Sequence, residues 1–141
     1  MEPTGESVPS FLERVAPRKR RTDAVTMLDL MSRATGQPPL MWGTVIGFGR
    51  YHYRYASGRE GDAPAAGFAP RRAATTVYLP DGVGAHEGAL HRLGPHTTGV
   101  GCLYLKDLGD VDLEVLEGVV AASYRTVTAG TYPWRAREGR P

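Results

Sequence analysis

Glycine interrupts residues 41–79 every few positions, and the runs between the glycines are rich in Tyr, Val, Ile and Thr. A stretch cut this often cannot be a helix, because each interior glycine costs roughly 1 kcal/mol there. β-Branched and aromatic side chains suit a pleated, half-buried surface instead. Residues 50–56 alternate strictly, with Tyr51, Tyr53 and Tyr55 on one strand face and His52 and Arg54 on the other. Residues 57–62 read as a loop, residues 65–69 as a second strand and residues 74–79 as a third. The connections are too short for crossovers, so an antiparallel meander is expected.

Helices are expected on either side of this segment. Residues 18–35 place Ala24, Met27, Leu28, Met31 and Ala34 at spacings of three and four. Gly36 supplies a stop, and Pro38-Pro39 forbid continuation. A shorter helix over residues 8–15 has Ser7 as its N-cap and Pro9 in its first turn. Residues 85–93 can form another short helix, closed by Gly94-Pro95. Residues 100–106 make a further strand around Cys102. Asp110 or Asp112 caps a last helix running to about residue 127, with Val111, Val115, Leu116, Val119, Val120 and Ser123 on its apolar face.

The expectation is therefore one α+β domain: an antiparallel sheet of about five strands, with N-terminal and C-terminal helices packed on one face. Residues 1–6 read as an N-terminal tail, residues 7–127 as the domain and residues 128–141 as a loosely held C-terminal tail, with Trp134 as its one docking residue. The 141 residues suit a single domain of this kind. One cysteine, Cys102, excludes an internal disulfide and a Cys-rich metal site. It reads as a small core residue rather than a reactive thiolate, which needs a nearby cation or helix N-terminus. The first residues lack the basic and apolar pattern of a signal peptide, and no run reaches membrane-spanning length, so a cytoplasmic protein without a membrane partner is expected. The net charge is only +2. The local run Arg18-Lys19-Arg20-Arg21 is the one concentrated basic patch, and with the Arg54 face it offers a protein or nucleic-acid partner a surface.

Three motifs carry a family resemblance. The first is Met41-Trp42-Gly43 followed by Gly47-Phe48-Gly49-Arg50-Tyr51-His52-Tyr53-Arg54-Tyr55-Ala56-Ser57-Gly58-Arg59-Glu60-Gly61. The second is Gly67-Phe68-Ala69-Pro70-Arg71, then Thr76-Val77-Tyr78-Leu79. The third runs from Gly99 through Cys102-Leu103-Tyr104-Leu105-Lys106 to Asp110-Val111-Asp112. In this order, behind a helix ending Met31 to Gly36, they resemble the YdhG-like domain of unknown function over residues 18–123. The resemblance implies a frataxin-like α+β fold and, through one member of the wider family, an intracellular iron-chaperone role. It makes Trp42, Tyr51, Tyr53, Arg71, Tyr104 and Lys106 candidate ligand-binding residues. This chain has Val100 where members of the subfamily often carry Lys, a departure that weakens the case for a shared anionic ligand.

The residues themselves qualify the iron reading. Hard or borderline cations need several carboxylates or imidazoles converging on one point. The early helices are basic here, through Arg14, Arg18, Lys19, Arg20, Arg21 and Arg33. Acidic residues gather instead at Asp107, Asp110 and Asp112, which are metal candidates or, alternatively, helix caps on a solvated turn. His86, His91 and His96 are five residues apart, which misses the spacing for a shared helix face. Neither the Gly47-Phe48-Gly49 nor the Gly82-Val83-Gly84 run completes a nucleotide-binding glycine motif. The tyrosine stripe can stack a planar ligand or form the packed face of the sheet. If it is packed, His52 and Arg54 become the exposed, binding side. The resulting expectation is a non-enzymatic domain binding a metal or a small ligand.

Overall fold

The computed structural model describes residues 1–136. Its elements in chain order are α1 (Val8–Leu12), α2 (Arg18–Thr35), β1 (Pro39–Trp42), β2 (Val45–Arg54), β3 (Glu60–Pro70), β4 (Thr75–Tyr78), α3 (Glu87–Leu90), β5 (Thr97–Thr98), β6 (Cys102–Leu105) and α4 (Leu113–Thr128). The fold is α+β. Its antiparallel sheet has six strands, in the order β1-β2-β3-β4-β6-β5, one more than the sequence predicted. The edge strands are short: β1 starts at a proline, and β5 has only two residues.

Local chemistry accounts for the helix ends. Ser7 accepts a hydrogen bond from the Ser10 N–H, as an N-cap should. Gly36 closes α2 in the left-handed conformation at φ 69°. Asp112 caps α4 by accepting from the Glu114 and Val115 N–H groups. The helix expected over residues 85–93 is shorter than predicted, a 3-10 turn leading into the four residues of α3. The buried stripe of α2 also differs from the sequence reading. It consists of Arg20, Asp23, Ala24, Met27, Leu30 and Met31, with Leu28 only half-buried.

The main core lies between the helices and one sheet face. Met41, Ile46, Phe48, Phe68, Val77, Leu103 and Leu105 from the strands pack with Met27, Leu30, Met31, Leu116 and Val120 from α2 and α4. Ile46, Phe68, Val77 and Leu103 are successive cross-strand partners, so one row runs across the sheet beneath the helices.

Strand β2 serves three clusters, and Val45 joins Trp42 and Ala69 in the smallest. Ile46 and Phe48 belong to the main core, whereas Tyr51 and Tyr53 join Ala63, Ala65 and Val127 in a second one. All four positions before Gly49, Val45 to Phe48, are buried, whereas after it only the odd-numbered Tyr51 and Tyr53 are. Gly49 stands between the main core and the tyrosine cluster with φ 71°, a conformation that favours glycine, and a Cβ there would sit 3.0 Å from the Tyr124 ring of α4. β2 and β3 are also longer than the sequence suggested, because the expected loop over residues 57–62 contributes Glu60, Gly61 and Asp62 to β3.

The ends of the described chain are held by contacts. Thr4 N–H donates to the Met41 carbonyl at 2.9 Å. Beyond α4, the Tyr132 N–H donates to the His52 carbonyl and its own carbonyl accepts from Arg54 N–H, so residue 132 bridges onto β2 beside Tyr53. Ala136 N–H then reaches the Pro80 carbonyl at 3.1 Å. Residues 131–136, expected to be loosely held, are thus fixed by main-chain bonds, and Trp134 packs edge-on against Tyr132. Residues 137–141 of that expected tail lie outside the described residues.

Candidate functional site

Side chains alternate across a strand, so residues opposite the main-core row define the other face of the sheet. That face carries Trp42 from β1, Val45 and Gly47 from β2, Gly67 and Ala69 from β3, Thr76 and Tyr78 from β4, and Cys102 and Tyr104 from β6. The cross-strand partners Gly67–Tyr78–Cys102 and Ala69–Thr76–Tyr104 form two adjacent rows. Arg71 and Lys106 each lie one residue beyond the row Pro70–Thr75–Leu105. They are two strands apart, roughly 10 Å at the strand spacing. All helices with core residues pack on the opposite face. The sheet therefore brings Trp42, Arg71, Tyr104 and Lys106 together on one helix-free face.

The chemistry of this face is cationic and aromatic. Arg71 Nη1 donates to Thr44 Oγ1 at 2.9 Å, and its Nη2 donates to the Tyr78 hydroxyl at 3.2 Å. Trp42 is 2% exposed, and its indole Nε1 has no hydrogen-bond partner among the described residues. The indole covers Gly47, where a Cβ would fall 2.6 Å from Trp42 Cδ1. Tyr104 is 38% exposed. The Cys102 sulfur beside it, then partial burial and Tyr78, push its phenol above the ordinary value, so it remains a hydroxyl donor at neutral pH. Cys102 itself is half-buried on this face, not in the core as expected. Lys106 is exposed, and its carbonyl accepts from Arg20.

The remaining sequence candidates are not exposed on this face with Arg71. Tyr51 and Tyr53 are buried with Val127, and Tyr51 also lines, together with Val45, Gly67 and Tyr78, a cleft with room for only about 40 Å3. That is space for one or two waters. His52 and Arg54 are on the solvent side, as the packed-tyrosine reading requires, but acids face them. His52 Nδ1 lies 2.8 Å from Asp62, its Nε2 lies 2.9 Å from Glu60, and Arg54 is 3.9 Å from Glu60. The hydrogen bond to Asp62, then that to Glu60, raises the His52 pKa.

The expected basic patch is divided by the fold. Arg20 is buried and donates to Thr75 Oγ1, the Leu105 carbonyl and the Lys106 carbonyl. Lys19 is paired with Asp23 at 2.9 Å and Asp107 at 2.6 Å. Arg21 donates to the carbonyls of Glu13 and Val15. The metal candidates do not converge either. Asp107 holds Lys19 and the Gly109 N–H, Asp112 caps α4, and Asp110 is exposed. Among the described residues no group of three or more His, Cys, Asp or Glu side chains is placed to hold a metal ion. His91 and His96 line one open groove, while His86 turns inward.

Sequence reasoning missed Thr44, Tyr78 and a buried polar cluster. In that cluster both carboxylate oxygens of Asp81 lie 3.0 Å from His86 Nε2, and Oδ1 accepts from Ser123 Oγ at 2.6 Å. Tyr78 was within a quoted motif, but only the register with Cys102 and Gly67 places it beside Arg71. Comparisons with protein-family models, with curated proteins and with solved structures find no match to this chain. No helix among the described residues is long and apolar enough to cross a membrane.

Proposed function

We propose that this chain is a non-enzymatic, small-ligand-binding domain of the YdhG-like kind, and that its ligand sits on the helix-free sheet face. The observation that carries the reading is that Arg71, Tyr104 and Lys106, which the sequence motifs had singled out at distant positions, are exposed on one face, with buried Trp42 on the same face four strands from Tyr104. The face joins aromatic side chains to cations, the combination that a binding surface needs for contact area and orientation. The middle of the face, Gly67, Ala69 and Thr76, is buried under neighbouring side chains, so the part open to a ligand is that of Arg71, Tyr104 and Lys106. Its polar groups form no nucleophile–base pair: Arg71 is bonded to hydroxyls, and Cys102 neighbours a protonated phenol.

The iron-chaperone version of the resemblance gains less support. The acids it would need are spent on Lys19 and on helix capping. The alternative of a nucleic-acid module built on Arg18 to Arg21 and Arg54 is disfavoured by the buried Arg20 and by Glu60 beside Arg54.

Amide and aromatic NMR spectra recorded with a set of small aromatic fragments, charged and neutral, test the reading. Shifts are expected at Ala69, Thr76, Tyr78 and Tyr104. Fragments that perturb only residues on the helix side, or none up to their solubility limits, refute it. Titration with ferrous iron is the companion measurement, and saturable binding at micromolar protein would restore the metal reading.

A further inference from the structure

Residues 131–136 leave α4 and lie along β2 and its tyrosines as an extended segment. Main-chain atoms of the segment carry the bonds that seat it. Tyr132 N–H donates to the His52 carbonyl at 2.9 Å, and the Tyr132 carbonyl accepts from Arg54 N–H at 2.8 Å. This is a parallel bridge on the edge of β2 that faces away from β3. The Tyr55 hydroxyl accepts from Arg135 N–H at 3.1 Å and donates to the Arg135 carbonyl at 3.2 Å. Ala136 N–H donates to the Pro80 carbonyl at 3.1 Å. Any extended chain offers the same donors and acceptors, which is the basis of peptide binding by strand addition. On that edge β1 pairs only with residues 45–48, so without the segment the groups at His52 and Arg54 would form an open template.

Side chains of the segment meet specific features of the seat. Tyr132 packs edge-on against Tyr51, with ring centroids 6.3 Å apart. The Arg135 guanidinium lies 5.8 Å from the centroid of the Tyr53 ring, a cation–π distance. Ala136 is buried, and a Cβ built on Gly101 would fall 2.9 Å from the Ala136 Cβ, so only a small residue fits there. Pro133 is exposed and has no N–H to satisfy. The seat therefore reads an aromatic residue and, after two further residues, a cation followed by a small residue. The tether to α4 is unpacked: residues 128–131 are all exposed, and a Cβ on Gly130 would meet nothing within 4 Å.

We infer that this seat is a docking site for an extended peptide of another protein, carrying that order of aromatic, cationic and small residues, and that residues 132–136 fill it in cis until such a partner displaces them. A second copy of this chain gains nothing over the cis segment. Its contacts are the same, and the tether gives the cis segment an effective concentration of about millimolar. A partner with contacts beyond those of Tyr132 to Ala136 can win. The inference goes beyond the function proposed for the face of Arg71, Tyr104 and Lys106 and does not depend on it.

The test uses the full chain and a capped peptide of residues 131–136, Thr-Tyr-Pro-Trp-Arg-Ala. In a chain carrying Tyr132→Ala and Arg135→Ala, the cis segment keeps its main-chain bonds but loses two side-chain contacts. Titration followed by NMR should give saturable shifts at Tyr51, Tyr53, Tyr55 and the Arg54 amide at about millimolar peptide. The unmodified chain should need about tenfold more, because its own segment competes. Peptides carrying Tyr132→Ala or Ala136→Val should each bind the variant chain about tenfold more weakly, since side chains choose the partner. If the variant chain does not fold alone, recovery of its folded spectrum on adding the natural peptide supports the docking site, and no recovery overturns it. Equal binding of natural and substituted peptides, shifts confined to other surfaces, or no binding to the folded variant also overturn it. So does a dimer of the unmodified chain formed by exchange of the segment and detected by sedimentation, because a second copy is then the occupant. None of these outcomes bears on the Arg71 face.

Discussion

Arg20 lies in the most basic run of the sequence, yet it is 3% exposed. Replacing it with Met keeps the aliphatic stem and removes only the guanidinium. Three acceptors lose their donor: Thr75 Oγ1 at 2.9 Å, the Leu105 carbonyl at 3.2 Å and the Lys106 carbonyl. Stranding a buried acceptor costs roughly 1–3 kcal/mol. The Lys106 group is only partly buried and Thr75 can rotate its hydroxyl, so their shares fall at the low end. Asp23, 3.7 Å from Arg20, keeps its bonds to Lys19 and the Leu108 N–H and is not left unpaired. The sum is about 3 kcal/mol. In a domain of this length that lowers Tm by roughly 10 °C. Arg18→Met and Arg21→Met, on exposed positions of the same run, should each cost no more than about 0.5 kcal/mol. Urea unfolding of the three variants, monitored by circular dichroism, measures the contrast. Should Arg20→Met cost no more than Arg18→Met, the assignment of Arg20 as an internal tie between α2 and β6 is wrong.

Three further outcomes follow from the contacts described. Gly49→Ala should destabilise by about 2 kcal/mol, through both the left-handed backbone and the close Tyr124 ring, whereas Gly36→Ala, with open space around it, should cost only about 1 kcal/mol in the same urea assay. His52 has a folded pKa raised above 6.5 by Asp62 and Glu60, so its stabilising pairings are fully present below about pH 6.5 and are lost as pH rises through the folded value; an NMR titration should place the His52 midpoint above 6.5, and Asp62→Asn should lower it. Ser123→Ala removes the hydroxyl donor from buried Asp81 and should cost about 1–2 kcal/mol, while Thr126→Ala, whose hydroxyl bonds its own helix at an exposed position, should stay within about 0.5 kcal/mol in thermal melts.

Where the sequence could be read, the signal was periodic and local. The bounds of α2 followed from Gly36 and the proline pair, and the caps of α1 and α4 from Ser7 and Asp112. What escaped depended on pairing across the sheet. The buried stripe of α2 begins at Arg20 and Asp23, which a hydrophobic pattern counts as solvent-facing. Arg20 is accommodated only because carbonyls on β6 reach it, and no residue of α2 announces them. The candidate site was legible as a set of residue types but not as a place. Arg71 and Tyr104 are distant in sequence, and only the register of β3, β4 and β6 puts them on one face. Thr44 was hidden more deeply, since a turn threonine has many uses and its bond to Arg71 depends on the turn's position beside β3. The tyrosines pack, as one of the two sequence readings had it, but their packing against Val127 needed the last turn of α4 and that against Tyr132 the chain beyond it.

The burial of β2 makes residue number a poor guide to what the strand tolerates. Before Gly49 all four positions from Val45 to Phe48 are buried, Ile46 and Phe48 in the main core and Val45 beside Trp42. After it only the odd-numbered Tyr51 and Tyr53 are buried, while His52 and Arg54 face solvent. A tolerance profile measured residue by residue along this strand would show a solid block up to Gly49 and a comb of alternate teeth beyond it.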